Sequence, residues 1–303
     1  MMRYNVASGC VLALALCLAT VWGQSPAARD TLLRLKQDET NGAIHVYREG
    51  SNEPILTQNA PPDNRAYLHP IVAPDGKGVL TEYRPSHHLH QTGIFWGLKL
   101  VNGRDFFMKW QGDYYRRRSA SIVQSTGRQV KWQTVYDMLG EDGKTLMTET
   151  QNWSMAATGG RYVLDLEWKG EAKADVTLGQ YYVGGLFVRM PWKPGSRAEI
   201  VNEAGQRNLA AEQQRAKWID LADQVDGRDD MAHIAVLDHP GNYGFPVPWR
   251  VDSQMGFGPN RNATSRHIEK GKTEIIRHRL IAYTGALDAA AMTRAWKEFV
   301  KEK

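Results

Sequence analysis

Apolar and polar residues alternate one by one over several stretches of this chain. The clearest are residues 44–47, 129–136 and 161–168, which read IHVY, QVKWQTVY and RYVLDLEW. A period of two places every second side chain on the same face of an extended strand, so each stretch predicts a strand with one buried face. Gly140–Lys144 and Val101–Arg104 predict hairpin turns. The pattern predicts an all-β fold, a large antiparallel β-sandwich, rather than βαβ units.

Two segments depart from this strand pattern. Residues 287–303 place Met292, Trp296 and Phe299 on one face of a helix, with charged residues on the other face. We expect an amphipathic C-terminal helix that packs against the sandwich, and a partner-binding helix is the alternative. Residues 208–217, within a long polar stretch, predict a short helix.

Residues 1–23 have the composition of a secretory signal peptide. Arg3 gives a basic start, an apolar run extends from Val6 to Trp22, and small residues precede Gln24. We expect cleavage before Gln24, a secreted or periplasmic protein, and no stable membrane insertion of the mature chain. A retained N-terminal anchor is the alternative. Residues 24–303 contain no repeat or linker, so we expect a single domain that includes the C-terminal helix.

The composition excludes several kinds of chemistry. Both cysteines, Cys10 and Cys17, lie within the signal peptide, which leaves the mature chain without disulfides, thiolate nucleophiles or cysteine-ligated zinc. The formal net charge of +5 is spread along the chain apart from Arg116–Arg118, and no nucleic-acid-binding motif accompanies it. We therefore expect no nucleic-acid partner. The sequence also lacks a G-x-S-x-G motif, a phosphate-binding glycine loop, a dinucleotide fingerprint and H-E-x-x-H.

Residues 86–96, SHHLHQTGIFW, hold three of the nine histidines of the chain. His88 and His90 stand two positions apart, so on an extended backbone their rings point to the same face, about 7 Å apart. This spacing suits a pair of metal ligands, or an acid/base pair that contacts a sugar. The alternative is a polar turn that leads into a strand.

A second candidate stretch follows a predicted strand at residues 234–237. Asp238, His239 and Asn242 stand at the end of this strand, where binding and catalytic groups often lie. Farther along the chain, a proline-rich turn presents Trp249, whose indole can line a sugar cleft. We expect these side chains to converge in space with the histidines of the first stretch.

Arg189 ends the otherwise apolar segment 181–189. A buried guanidinium is costly unless it meets a negative charge. Either a carboxylate of the protein pairs with Arg189 in a structural ion pair, or Arg189 binds an anionic group of a substrate.

In combination, these motifs resemble those of the PmoA-like family of secreted bacterial proteins over roughly residues 40–300. The matching segments are Arg65–Pro70, Ala73–Gly76, His88–Gly93, Val101–Phe107, Gly184–Leu186 with Arg189, Lys217–Asp220, and Asp238–Pro240 with Asn242. The resemblance implies a galactose-mutarotase-like supersandwich and a role in carbohydrate metabolism. Where the family often has Asp-His-Pro-His-His, this chain has Leu89 for the proline and Gln91 for the last histidine.

The leading hypothesis is a carbohydrate-active enzyme that epimerises a sugar or cleaves a glycoside by hydrolysis or elimination. Either His88 or His90 is the general acid, and His239, oriented by Asp238, is its partner. The residues expected to bind the substrate are Gln91, Arg189, Asn242 and Trp249. No carboxylate pair of a glycosidase stands out, which weakens the hydrolase version.

Two alternatives remain open. The first is a metalloenzyme, a lyase or an oxidoreductase, in which His88, His90 and His239 hold one divalent metal ion. The second is a non-catalytic sugar-binding module, which would keep its aromatic residues but tolerate loss of the histidines.

Overall fold

The computed structural model describes Met1, residues 31–109 and residues 112–301. The predicted signal peptide, residues 1–23, lies outside the described residues apart from Met1. The described residues form nineteen strands and one α-helix, joined by turns and loops. The strands are β1 (Leu33–Gln37), β2 (Ile44–Arg48), β3 (Pro54–Asn59), β4 (Tyr67–Ile71), β5 (Ile94–Gly97), β6 (Tyr115–Gln124), β7 (Thr126–Gly127), β8 (Gln129–Leu139), β9 (Thr145–Thr158), β10 (Arg161–Ala172), β11 (Val176–Leu178), β12 (Gly185–Arg189), β13 (Glu199–Asn202), β14 (Trp218–Asp223), β15 (Ala232–Asp238), β16 (Trp249–Val251), β17 (Gly256–Pro259), β18 (Arg266–Ile268) and β19 (Thr273–Thr284).

Most strands belong to two large sheets, in which neighbouring strands run antiparallel. One sheet has nine strands in the order β16-β17-β12-β5-β4-β3-β2-β1-β7, and the other has eight in the order β13-β14-β15-β19-β10-β9-β8-β6. Strands β11 and β18 form a separate antiparallel pair. Buried side chains from both large sheets form one core cluster. The predicted all-β antiparallel sandwich is confirmed.

The longest strands, β8, β9 and β10, follow the alternating pattern of the sequence. Along most of β9, buried and half-buried side chains alternate from one residue to the next. Trp132, Trp153 and Trp168 supply large buried side chains from these three strands. Since β9 pairs with β8 on one side and β10 on the other, the alternation puts these indoles on the core face together.

Both predicted hairpin turns are present. Gly140–Lys144 connects β8 to β9, and Gly143 has a φ of +74°, which glycine adopts at little steric cost. In the second turn Val101 pairs with Arg104, and the two residues between them have φ of +47° and +86°. Positive φ at both central positions is typical of a type I′ turn, whose twist matches that of antiparallel strands.

The C-terminal helix, α1, covers Ala289–Phe299 and lies within the predicted range 287–303. The Asp288 carboxylate caps it by accepting a hydrogen bond of 2.9 Å from a backbone N–H of the first turn. Met292 and Phe299 are buried against one face of the eight-stranded sheet, where they contact Trp218, Ala235, Leu237, Ile281 and Tyr283. The predicted helix, packed on the sandwich, is confirmed.

The helix predicted over residues 208–217 is wrong in extent, since only Asn208–Ala211 form one 3-10 turn. Beyond that turn the backbone pairs with the end of β16. Gln213 N donates to Trp249 O at 2.7 Å, and Trp249 N donates to Gln214 O at 3.0 Å. These tertiary hydrogen bonds replace the helical ones. Within the described ranges, no helix is long and apolar enough to cross a membrane.

The nine-stranded sheet carries a second apolar cluster on its outer face. Phe95 on β5 and Phe187 on β12 are cross-strand neighbours, with ring centroids 5.6 Å apart. Their chain neighbours Trp96 and Leu186 belong to the core between the sheets, because successive side chains alternate across a strand. Phe107 joins the outer cluster from the loop after β5. We call the three phenylalanines, Phe95, Phe107 and Phe187, the aromatic floor.

Candidate functional site

A small pocket of about 110 Å³ lies at the aromatic floor. Its lining residues are His88, His90, Gln91, Lys99, Phe107, Met108, Tyr182, Val183, Phe187, Arg250 and Asp252. A larger groove of about 520 Å³ runs along the eight-stranded sheet, but it contains none of the predicted site residues. The smaller hollow, named here the histidine pocket, is the candidate site because reactive side chains meet aromatic ones there.

The histidines lie in a turn before β5 rather than on an extended strand. His88 N donates to Pro85 O at 2.9 Å, and Gln91 N donates to His88 O at 2.9 Å. The predicted extended geometry of His88 and His90 is therefore wrong. Their rings still meet, with centroids 5.6 Å apart, because successive tight turns fold the segment back on itself. The Nδ1 atoms of His87 and His88 are 2.8 Å apart, so one ring donates to the other.

The imidazoles of the pocket are uncharged at neutral pH. Burial, followed by the charge of the nearby Arg65 guanidinium, lowers the pKa of His90 to about 4. Burial also lowers the pKa of His88, with Arg189 as the next contribution. An unprotonated imidazole has a free lone pair and can act as a base, and the lowered pKa makes it a weaker base than a free imidazole. This favours the role of general base over the general acid that the sequence predicted for these histidines.

Arg65 connects the backbone of two residues that line the histidine pocket, His90 and Phe107. Its guanidinium is fully buried, with Cζ 3.6 Å from the ring centroid of Phe95. One terminal nitrogen donates to Phe107 O at 2.6 Å, and the other donates to His90 O. In the sequence, His90 precedes β5 and Phe107 follows it. Arg65 therefore fixes the backbone of a catalytic candidate relative to the aromatic floor.

Arg189 forms a structural ion pair instead of a substrate contact. It is fully buried, and its Nη2 donates to Asp252 at 2.7 Å. Its Nε donates to the amide oxygen of Gln91, and its Nη1 donates to Gln254 O. Of the two predicted roles for Arg189, the structure supports the ion pair within the protein. Gln91, which was predicted to bind the substrate, lines the pocket, and its amide oxygen accepts from Arg189.

Two further cations line the pocket, and each has a carboxylate partner. Lys99 is buried, pairs with Asp105, and places Nζ 4.4 Å from the ring centroid of Tyr181. Arg250 is about one quarter exposed and donates to Glu212 at 2.6 Å. The guanidinium of Arg250 also lies 5.1 Å from the ring centroid of Tyr182, which is itself exposed. The pocket rim thus combines an aromatic face with a partly exposed cation.

The second predicted stretch does not join the histidine pocket. Asp238 is fully buried, pairs with Arg261, and accepts from Asn242 Nδ2 at 2.6 Å, while His239 Nδ1 accepts from Gly241 N at 3.0 Å. The His239 ring packs 5.2 Å from Phe299, at the end of α1. The predicted pairing of His239 with the pocket histidines, and its orientation by Asp238, are therefore not what the fold produces. Asn242 ties Asp238 to the backbone of β19 instead of facing a ligand.

The predicted three-histidine metal site is not assembled. Among the residues that the structure describes, no three histidine, cysteine, aspartate or glutamate side chains are placed to hold a metal ion together. His88 and His90 meet, but His239 lies at the other sheet, beside α1. The three histidines were grouped in the prediction because each stands next to a predicted strand, which does not fix where the strands lie in the fold.

Trp249 is a core residue. Its side chain is fully buried, and Nε1 donates to Ala216 O at 2.9 Å. The predicted stacking of this indole on a sugar ring is wrong, because both of its faces are covered by protein. The neighbouring Arg250 reaches the pocket instead, since successive side chains alternate along β16.

Three lining residues, Lys99, Tyr182 and Arg250, and the adjoining Arg65 were not predicted from the sequence as site residues. Lys99 stands between two leucines, and a cation in an apolar run is the same signal that singled out Arg189. No comparable pattern surrounds Arg65, whose importance comes from contacts with residues distant in the sequence.

The solved structures that match the chain are distant from it in sequence. The GH36 α-galactosidase AgaB from Geobacillus stearothermophilus has 9% identity and a TM-score of 0.42, with 83% of this chain and 41% of that chain covered. The Slr1438 protein from Synechocystis sp. PCC 6803 has 9% identity and a TM-score of 0.36, with 86% and 98% covered. A galactose mutarotase related enzyme from Lactobacillus acidophilus has 9% identity and a TM-score of 0.30, with 82% and 97% covered.

The chain spans about two fifths of the α-galactosidases it matches. At these TM-scores the likeness carries no argument about activity, which has to be inferred from the side chains of the pocket. No curated protein matches the chain at a significant level.

The PmoA-like name that the sequence motifs suggested receives no support from these comparisons. A family model matches residues 42–297, which include β2 and most of α1 and every residue of the histidine pocket. The chain therefore belongs to DUF6807, a family of unknown function.

Proposed function

We propose that this protein is a carbohydrate-active enzyme and that the histidine pocket is its sugar-binding site. The observation that carries the proposal is the pair of uncharged imidazoles, His88 and His90, on the wall of a pocket with an aromatic floor and rim. Aromatic faces bind the apolar faces of sugar rings, while the few polar groups of such a pocket orient the hydroxyls. A base beside a bound sugar ring is the minimal equipment for chemistry at a ring carbon.

The reaction that fits this pocket best begins with removal of a proton from carbon. Epimerisation and elimination both need such a base, and the lowered pKa of His90 keeps its imidazole unprotonated at neutral pH. Among the described residues, Asp252 is the only carboxylate that lines the pocket, and it is held by Arg189. A hydrolase with two free carboxylates has no support from this arrangement.

The test is solvent exchange at the carbons of candidate sugars. Mono- and oligosaccharides are incubated with the protein in D₂O, and their C–H signals are followed by NMR, with or without a change of product. We expect wash-in of deuterium with at least one sugar, and its loss in His90→Gln. His267→Gln is the matched control, because His267 is exposed on β18 and away from the pocket lining.

Two results would count against the proposal. Exchange that persists in His90→Gln and in His88→Gln would remove these histidines as the base. Sugar binding without any exchange in the unmodified protein would point to the non-catalytic sugar-binding module.

A further inference from the structure

The charges around the histidine pocket do not balance. Three cations of the site have a carboxylate partner: Lys99 pairs with Asp105, Arg189 with Asp252, and Arg250 with Glu212. Arg65 is the exception. Within the described ranges it forms no ion pair, and its two terminal nitrogens donate to uncharged backbone carbonyls of His90 and Phe107. Glu149 and Asp105 act on Arg65 from beyond ion-pair distance, but burial raises the pKa of Glu149 to about 7 and Asp105 already pairs with Lys99. The positive charge of the site is therefore only partly balanced.

The position of Arg65 makes its charge effective inside the pocket. The side chain is fully buried, so bulk solvent screens the guanidinium only weakly. The group is 3.6 Å from the ring centroid of Phe95, on the aromatic floor, and it holds the backbone of two lining residues. The aromatic floor and the backbone of His90 and Phe107 would separate a molecule bound in the pocket from the guanidinium of Arg65, which has no ion pair.

The pocket histidines respond to this excess of positive charge. At His90, Arg65 lowers the pKa after burial, and Asp105 opposes it with a smaller contribution. At His88, Arg189 and Arg250 lower the pKa, against Asp252 alone. Burial is the largest cause of both shifts, and the surrounding charges lower the pKa further, as expected beside an excess of cations.

We infer that the natural ligand of the histidine pocket is an acidic sugar, a hexuronate residue, and that Arg250 contacts its carboxylate. The inference rests on the proposed function and specifies its substrate class. Of the two cationic lining residues, Arg250 is partly exposed and Lys99 is buried. Its guanidinium uses Nη1 for Glu212 and lies beside the exposed ring of Tyr182. A uronate ring on Tyr182 would place its carboxylate near this guanidinium.

Matched pairs of sugars test the inference. Methyl glycosides of galacturonate, glucuronate and mannuronate are titrated beside those of galactose, glucose and mannose. Binding is followed through the imidazole NMR signals of His88 and His90, so that only binding at the pocket is counted. We expect at least one uronide to bind roughly tenfold more tightly than its neutral partner at low salt, with a smaller difference at high salt.

Charge variants identify the residue that binds the carboxylate of the uronide. Arg250→Gln should weaken uronide binding roughly tenfold and leave the neutral glycoside unchanged, while Arg250→Lys should restore part of the preference. Arg116→Gln removes an equal charge from an exposed position on β6, in the other sheet, and should change neither.

Each other outcome overturns the inference. Equal or tighter binding of the neutral glycosides would refute the acidic sugar and leave the proposed function standing. Absence of binding by every glycoside would remove both. An equal loss of the preference in Arg116→Gln would show that the total charge of the protein, and not the pocket, selects the uronide.

Discussion

The buried carboxyl group of Glu149 makes the stability of the sandwich depend on pH in a predictable way. Glu149 lies on β9 in the core, where one oxygen accepts from Gln151 Nε2 at 2.8 Å and the other from Trp168 Nε1 at 2.9 Å. Burial raises its pKa from the ordinary 4.5 to about 7, and the two hydrogen bonds and the charge of Arg65 only partly oppose this. The folded protein therefore binds this proton more tightly than the unfolded chain.

The size of the effect follows from the shift. One pKa unit corresponds to about 1.4 kcal/mol, so the shift corresponds to about 3 kcal/mol of unfolding free energy. Because the folded pKa is raised, this contribution is fully present below pH 4.5 and is lost as the pH rises to about 7. Above that range the carboxylate is charged in both states, and no further change is expected.

The perturbation is Glu149→Gln, which replaces the titrating carboxyl group by an amide of nearly the same shape. An amide can accept only one of the two N–H donors, which adds a penalty that does not depend on pH. Urea unfolding, followed by tryptophan fluorescence, gives the free energy of unfolding of both proteins at intervals across this pH range. We expect the variant to gain about 3 kcal/mol relative to the parent between the acidic and the neutral end.

The difference between the two proteins removes every other titrating group from the comparison. Glu141→Gln, at an exposed position in the turn after β8, controls for the chemical change. Curves for parent and Glu149→Gln that stay parallel across the range would refute the reasoning. They would mean that water reaches this carboxyl group or that its neighbours stabilise the charge fully.

Three further predictions concern the pocket, the C-terminal helix and export. Arg65→Met should lower the free energy of unfolding in urea by about 3 kcal/mol, because two buried carbonyls lose their donor. The same substitution should raise the pKa of His90, measured by NMR. An unchanged pKa would contradict the assigned contact between Arg65 and His90. His233 donates to Asp220 at 2.8 Å and to Gly285 O at 2.9 Å, and Asp220 raises its pKa although burial opposes this. His233→Gln should therefore cost more stability below pH 6.5 than in alkaline solution, and an equal cost at both would count against a charged imidazole. Mass spectrometry of the exported protein should find Gln24 as its first residue; an intact N-terminus would contradict the predicted cleavage.

The fold was predictable from the sequence because its signal is local. The alternation in residues 129–136 and 161–168 indicates one buried face whatever the rest of the chain does, and β8 and β10 follow it. The amphipathic pattern at the C-terminus is equally local. The short helix expected over residues 208–217 failed for the opposite reason: its backbone partner, Trp249, is far away in the sequence.

The candidate site was predictable only in part, because it depends on which strand ends meet. His88, His90 and Gln91 do line one pocket. His239 was grouped with them on local evidence of a similar kind, a polar cluster next to an apolar strand. It lies beside α1 instead, because β15 belongs to the eight-stranded sheet and the pocket belongs to the nine-stranded one. A single sequence holds no signal that assigns a strand to one sheet or the other.

The two buried arginines, Arg65 and Arg189, show which property of a buried charge cannot be predicted from the sequence. The position of Arg189 in an apolar strand correctly indicated that it needs a partner, and Asp252 supplies a neutralising one. Arg65 has equal need, but its two terminal nitrogens donate to carbonyl groups, which do not cancel its charge. The difference affects the field in the pocket, since a neutralised guanidinium supports the structure while one that is neutralised only in part also attracts an anion. Both arginines are fully buried, so burial cannot distinguish them. The identity of the acceptor does, and that is a property of the fold.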